Sequence, residues 1–155
     1  MGLIEGDKII EISDDFKRSH SRPRPEIQNP VVKMAVFVLN LPWTLCGLLL
    51  GLVSLPFSIK MEEDGSLIVM KVKRIWFNEI FMRRWVIGAT SGAVILLSGR
   101  AEEFTYDHEL IHVRQFEAAP FYFPLLYFAE VIRHGYSKNR YEQEAYWLSG
   151  NGHGK

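Results

Sequence analysis

The sequence lacks several features that would restrict its function at once. Its single cysteine, Cys46, excludes an internal disulfide and a thiolate metal cluster. The 18 basic and 18 acidic residues cancel, and no basic stripe typical of nucleic-acid-binding proteins is visible. Residues 1–20 lack the basic start and apolar core of a secretory signal, so a cleavable signal is not expected. The 155 residues suit one domain without a nucleic-acid partner.

Charge is also absent from residue 34 to residue 59, MAVFVLNLPWTLCGLLLGLVSLPFSI. This run is longer than the roughly 20 apolar residues that cross a bilayer. Pro42 and Pro56 interrupt it, and proline breaks or kinks a helix because it removes a backbone donor. Two arrangements stay open, one kinked spanning helix or a hairpin turning near residues 40–42. Both predict a membrane-associated protein in contact with lipid, whereas burial of so long a run in a core would leave the small remainder of the chain to cover it. The side of the membrane is unknown because the flanking basic residues are too evenly distributed.

The chain after the apolar run predicts an α+β domain. A turn at residues 61–65 precedes residues 66–73, whose β-branched and long apolar residues are typical of a strand. Residues 75–84 fit either a strand or a helix. Residues 84–98 begin and end as strands, with Gly88 and Gly92 marking a bulge or a close backbone approach. We therefore expect a small, mostly antiparallel sheet, whose edge would accept an extended peptide.

Three helices are predicted beyond Gly99. Thr105 is the expected N-cap of a helix over residues 105–117. A second helix follows the proline-interrupted segment and ends before Gly135, because glycine commonly terminates helices. The last helix begins at residue 139 or 140 and reaches about residue 149.

The first of these helices carries the sequence His108-Glu109-Leu110-Ile111-His112. Histidines four positions apart lie on one helical face and can bind the same ion. Zinc suits imidazole ligands, and a catalytic zinc site keeps three protein ligands and one open position. Glu109 is turned away from the metal and can accept a proton from water as a general base. The motif therefore predicts a Zn²⁺ cofactor and a hydrolytic reaction.

A third ligand is expected downstream, in the segment Tyr141-Glu-Gln-Glu-Ala-Tyr146. Spacing alone leaves Glu142 and Glu144 open, because the rotation of their helix is unknown. The combination resembles the gluzincin metallopeptidases, which pair a helical H-E-x-x-H with a glutamate on a later helix. In a membrane-bound branch, similar to the proteases that process prenylated proteins, this glutamate begins E-x-x-A-D. The match implies Glu142 as the ligand and Glu144 as the alternative.

The sequence departs from that signature at Tyr146, where the branch has an aspartate that orients a histidine. The longer string from His108 to Gln115, with the aromatic segment that follows, also looks like small uncharacterised bacterial proteins with an apolar hairpin before the motif. This resemblance covers roughly residues 40–147. It implies a sheet packed on the motif helix and on the glutamate-bearing helix.

The resulting functional prediction is a membrane-associated zinc metallopeptidase that acts on a peptide or protein substrate. The alternatives are a non-catalytic zinc-binding membrane protein, structural or sensory, and an interaction protein whose motif is fortuitous. The predicted organisation is a polar lead-in at 1–33, a membrane segment at 34–59, a zinc-hydrolase-like domain at 60–149 and a disordered tail at 150–155. The oligomeric state is unknown. Residues predicted to contact a ligand or to stabilise an oxyanion are Gln115, His134, Arg140 and Tyr141.

Overall fold

The computed structural model describes residue 24, residues 26–76 and residues 86–150. The described residues contain five α-helices and four strands, so the predicted α+β class is confirmed. The helices are α1 (Pro30–Leu39), α2 (Leu41–Val53), α3 (Glu103–Ala118), α4 (Phe123–His134) and α5 (Arg140–Leu148). The strands are β1 (Pro56–Glu62), β2 (Leu67–Val72), β3 (Gly88–Ser91) and β4 (Val94–Ser98), and two 3-10 turns occupy Glu63–Gly65 and Tyr136–Lys138.

The apolar run forms two helices and the start of a strand. α1 and α2 meet at Asn40 with a bend of 64°, at the position where the hairpin arrangement predicted a turn. No single helix among the described residues has the length and apolar character to cross a membrane, although this bent pair reaches both when taken together. α1 begins at Pro30, and the Asn29 side chain caps it by accepting from the backbone N–H groups of Val31 and Val32. The run's last residues, from Pro56, belong to β1, because proline cannot continue the helix that ends at Val53.

The four strands form a mixed sheet in the order β1-β2-β4-β3. β1 pairs antiparallel with β2, and β3 pairs antiparallel with β4 across a turn at residues 92–93. The central pair, β2 with β4, is parallel. The expectation of a mostly antiparallel sheet thus holds for the two outer pairs but not for the centre. β1 and β3 are the end strands among those described.

The sheet is covered on both faces. One face carries Leu67, Val69, Ile95 and Leu97, which pack with Val113 of α3. The opposite face carries a second core cluster that packs against Leu48 and Leu50 of α2, with members Met70, Val72, Ile75, Val94 and Leu96. Because side chains alternate across a strand, nearly continuous apolar sequence in β2 and β4 supplies both clusters. α3 and α2 therefore lie on opposite faces of the sheet.

Glycines let α2 approach the sheet closely. A Cβ at Gly47 would lie 2.9 Å from the Ser91 carbonyl oxygen, and one at Gly51 would lie 2.6 Å from the Met70 sulfur. The two glycines are four positions apart and so share one helical face. The predicted close approach is also found at Gly88 and Gly92 of the second hairpin.

Asn40 joins the α1–α2 bend to the end of α3. Its Nδ2 donates to the Phe116 carbonyl at 3.1 Å, and its Oδ1 accepts from the Phe121 backbone N–H at 2.9 Å. Trp43 adds a bond from its indole N–H to the Phe121 carbonyl at 2.9 Å. These bonds fix where α3 ends and α4 begins, and so help to position the residues on both helices.

Candidate metal centre

α3 carries the H-E-x-x-H sequence and begins two residues earlier than predicted. Glu102 is its N-cap, and the Glu102 and Thr105 side chains bond reciprocally to each other's backbone N–H groups. Thr105 is therefore the third residue of the helix and not its N-cap. The prediction placed the cap at Thr105 because threonine is a common N-cap residue. In the structure the Glu102 side chain accepts the cap hydrogen bond instead.

Three side chains from two helices converge at one point. His108 and His112 project from α3 with their Nε2 atoms 3.2 Å apart. Glu142 of α5 places one carboxylate oxygen 3.4 Å from His108 Nε2 and the other 3.3 Å from His112 Nε2. All three residues are buried. Glu142, and not Glu144, is the downstream glutamate that joins this cluster.

The three side chains lie close enough to share one ion. Donors at zinc-like bond lengths of about 2.0–2.1 Å stand about 3.3–3.4 Å apart in a tetrahedron. The two Nε2 atoms, 3.2 Å apart, are close to that spacing, and one ligand atom from each of the three residues lies within 4.8 Å of the others. The buried His-His-Glu group could therefore bind a metal ion.

The cluster also favours positive charge electrostatically. Burial acts to lower the pKa of His112, but the adjacent Glu142 carboxylate outweighs it and raises that pKa to about 9. Burial acts in the opposite sense on Glu142, whose pKa is nevertheless lowered well below its usual range by His112 and His108. The centre thus stabilises a cation at this point, whether it is a proton or a metal ion.

Two tyrosines hold the Glu142 carboxylate from the side of α4 and the 3-10 turn. Tyr127 donates its hydroxyl to one oxygen at 2.6 Å, and Tyr136 donates to the other at 2.9 Å. Burial, and then the charge of Glu142, raise the pKa of both phenols well above their ordinary value. Both hydroxyls therefore remain protonated and act as donors, which fixes the orientation of the carboxylate.

The two histidines differ in their second ring nitrogen. His112 Nδ1 lies 2.8 Å from Gln115 Oε1, so Gln115 contacts one of the two motif histidines. His108 Nδ1 has no hydrogen-bond partner among the described residues, although metal-binding histidines usually donate this N–H to an acceptor. The Tyr146 ring lies 4.5 Å from the His108 ring, centroid to centroid. Tyr146 thus packs against one of the two motif histidines.

Glu109 is buried beside the cluster but is held by the sheet. Thr90 of β3 donates its hydroxyl to a Glu109 carboxylate oxygen at 2.7 Å. A Cβ at Gly88 would lie 2.7 Å from the other oxygen and 2.9 Å from Glu109 Cγ. Only glycine at residue 88 therefore leaves space for the Glu109 side chain in this position. This second carboxylate is kept near the three residues of the cluster without joining them.

The remaining predicted site residues have other contacts. His134 Nδ1 lies 3.1 Å from Glu130, and Arg140 Nε lies 3.6 Å from the same residue. Arg140 also donates to the Tyr141 hydroxyl at 2.8 Å, and the buried Tyr141 offers its carbonyl to Gln115. Only Tyr141 thus touches a residue that supports the cluster.

Three residues that contact Glu142 or Glu109 were not identified from the sequence. Tyr127 lies in a segment whose many aromatic residues favour packing, and Tyr136 follows a glycine in a 3-10 turn. Thr90 lies on a strand well before the motif, so spacing could not connect it with Glu109.

No protein-family model, curated protein or solved structure matches this chain.

Proposed function

We propose that this chain is a zinc-dependent hydrolase that cleaves peptide bonds. His108, His112 and Glu142 hold the ion, and Glu109 serves as the general base. One observation carries the proposal, namely a buried cluster of two histidines and a glutamate beside a second carboxylate, Glu109, that Thr90 keeps separate. A structural zinc site usually has four protein ligands, whereas three ligands with an open position are typical of catalysis.

The residues divide the chemistry between them. Zinc, when bound, polarises a carbonyl and lowers the pKa of a coordinated water to about 7. Glu109 takes the proton from the attacking water and later transfers it to the leaving amine. Thr90 orients the Glu109 carboxylate for both transfers, and Tyr127 and Tyr136 keep Glu142 in place. We propose the same division of roles that the resemblance to the gluzincins implies, with two histidines and a downstream glutamate as ligands and the motif glutamate as the base.

The position of β3 supports a peptide as the substrate. β3 lies at one end of the described sheet order, and two of its residues, Gly88 and Thr90, touch Glu109. An extended peptide that pairs with an end strand forms main-chain hydrogen bonds independently of its side chains. Such a peptide along β3 would pass close to the general base.

The first test is removal and return of the metal. We expect the purified chain to contain about one zinc ion and to hydrolyse members of a peptide library, since three preformed ligands bind zinc tightly. Dialysis against a chelator should abolish hydrolysis, and one equivalent of zinc should restore it. Purified chain without stoichiometric metal, even after zinc addition, would leave only a fortuitous motif. Bound zinc without hydrolysis would favour the structural or sensory alternative.

We further propose that the α1–α2 pair and β1 contact a lipid bilayer. Ile59 and Met61 pair with Met70 and Ile68, so they lie on the face of the sheet that α2 covers. Apolar side chains are exposed on all three of these elements, and extended exposed apolar surfaces mark interaction sites. They are Val31, Met34 and Val38 of α1, Leu45, Leu49 and Leu52 of α2, and Phe57, Ile59 and Met61 of β1.

Vesicle flotation tests the lipid contact. We expect the chain to float with phosphatidylcholine–phosphatidylglycerol vesicles, and the double variant Leu45→Gln/Leu49→Gln to bind about a hundredfold less tightly or worse. The reason is that each buried leucine contributes roughly 1.5–3 kcal/mol. Both leucines are at least half exposed, at 50% and 63%, so the fold should tolerate the change. Lys71→Gln, at an exposed polar position, is the control. Equal flotation of all three proteins would contradict the proposed surface.

A further inference from the structure

A chain of hydrogen bonds leads away from His112 and has a fixed direction. Gln115 Nε2 lies 3.0 Å from the Tyr141 carbonyl oxygen and 2.9 Å from Glu144 Oε2. Both partners accept hydrogen bonds, so Gln115 must present its NH₂ group to them and its oxygen to His112. The oxygen accepts from His112 Nδ1–H, so Nε2 is the ring nitrogen that faces the cluster and is left to bind an ion. Gln115 thereby fixes the orientation of the His112 ring.

Glu144 holds Gln115 in that orientation and needs a cation itself. Its side chain is only 5% exposed, and a buried carboxylate without a partner is costly. Arg24 supplies the charge, donating from Nε at 2.9 Å and from a terminal nitrogen at 3.1 Å to the two carboxylate oxygens. This two-pronged geometry is the strong form of the ion pair. Arg24 precedes α1 and is 120 positions from Glu144 in sequence.

We propose that Arg24 is a positioning residue for the metal centre, acting on His112 through Glu144 and Gln115. The inference rests on the proposed metal site and adds a part of the chain that the motif does not contain. Arg24 fixes the Glu144 carboxylate, Glu144 fixes the Gln115 amide, and the amide orients the imidazole. Partners of metal-binding residues typically change metal affinity or activity 10–100-fold when they are removed.

Metal affinity measured with the full chain tests this role. We expect Arg24→Ala to weaken Zn²⁺ binding about tenfold in competition with a chromophoric chelator. This is the lower end of the 10–100-fold range, because Arg24 does not contact His112 directly. The visible spectrum of bound Co²⁺ should also change, because the His112 ring is less constrained. Arg24→Lys should recover part of the affinity, because lysine restores the positive charge but cannot form the bidentate contact of a guanidinium group. Arg133→Ala, an exposed arginine of α4, should bind as the wild-type chain does.

A double variant separates positioning from general stability. Glu144→Gln removes the charge that Arg24 neutralises and keeps an oxygen for the Gln115 amide, so Arg24→Ala should have no further effect on affinity in that background. Equal, additive losses in both backgrounds would overturn the proposed route. So would unchanged Zn²⁺ affinity and Co²⁺ spectrum in Arg24→Ala. If the wild-type chain itself binds neither ion, the metal site fails, and that outcome is distinct because it appears before any Arg24 variant is made.

Discussion

Glu142→Gln is expected to lower zinc affinity about 10²–10³-fold, whereas Glu144→Gln, two residues away on the same helix, should still bind one ion per chain. Removing one charge from a buried, paired group costs roughly 3–5 kcal/mol, and Glu142 is the carboxylate within 3.3–3.4 Å of both histidines. Glu144 faces Arg24 and Gln115 instead. Zinc content after gel filtration and chelator competition would measure both effects.

The two variants are matched in size, charge change and helix, so they control for each other. His112→Ala provides a second route to the same loss, since it removes a ligand from the opposite helix. Full zinc content in either Glu142→Gln or His112→Ala would contradict the assigned ligand set. A larger loss in Glu144→Gln than in Glu142→Gln would exchange the roles of the two glutamates.

Glu109→Gln is expected to reduce hydrolysis about 10²–10⁴-fold while zinc content stays at one ion per chain. A general base contributes on this scale, and an amide cannot accept the proton. Zinc should remain because Glu109 bonds to Thr90 and lies outside the three-donor cluster. Steady-state rates on a cleaved peptide, with metal analysis of the same samples, would check both statements. A variant that loses its zinc would instead make Glu109 a ligand.

The same base can be disturbed without altering its chemistry. Gly88→Ala places a Cβ 2.7 Å from the Glu109 carboxylate and 2.8 Å from Thr105 Cγ2, so the Glu109 side chain must shift. A displacement of about 1 Å costs roughly a hundredfold in rate, and zinc should again remain bound. Gly99→Ala is the control, since its nearest neighbour is Phe57 Cζ at 4.0 Å. Equal activity of the two alanine variants would argue against the position assigned to Glu109.

Local sequence patterns predicted the elements of the site better than their mutual arrangement. The spacing of His108 and His112 places both on one face of any helix, and in α3 their Nε2 atoms are 3.2 Å apart. Gly135 and Asn139 delimit α4 and α5 as expected, because end signals act within a few residues. Choosing between Glu142 and Glu144 required the rotation of α5 against α3, which only tertiary packing determines.

The sequence did not predict contacts between residues that lie far apart along the chain, nor the strand that ends the apolar run. β1 was hidden because Phe57, Ile59 and Met61 alternate at the end of a longer apolar run, where period-two and continuous patterns overlap. The parallel pairing of β2 with β4 depends on the path of the intervening chain and has no local signature. The supporting contacts of Thr90 and Arg24 have the same origin.

The tether between Arg24 and Glu144 also bears on how the molecule opens. It joins residue 24, which lies ahead of α1, to a residue of α5 that is 120 positions away in sequence. Glu144 is buried, but the Arg24 side chain is 37% exposed, so water can replace it without unpacking a helix or a strand. We therefore expect Arg24 to leave Glu144 while the sheet remains intact. Hydrogen exchange at the Gln115 side of α3 would then follow this local release rather than global unfolding, giving the centre a route for metal exchange.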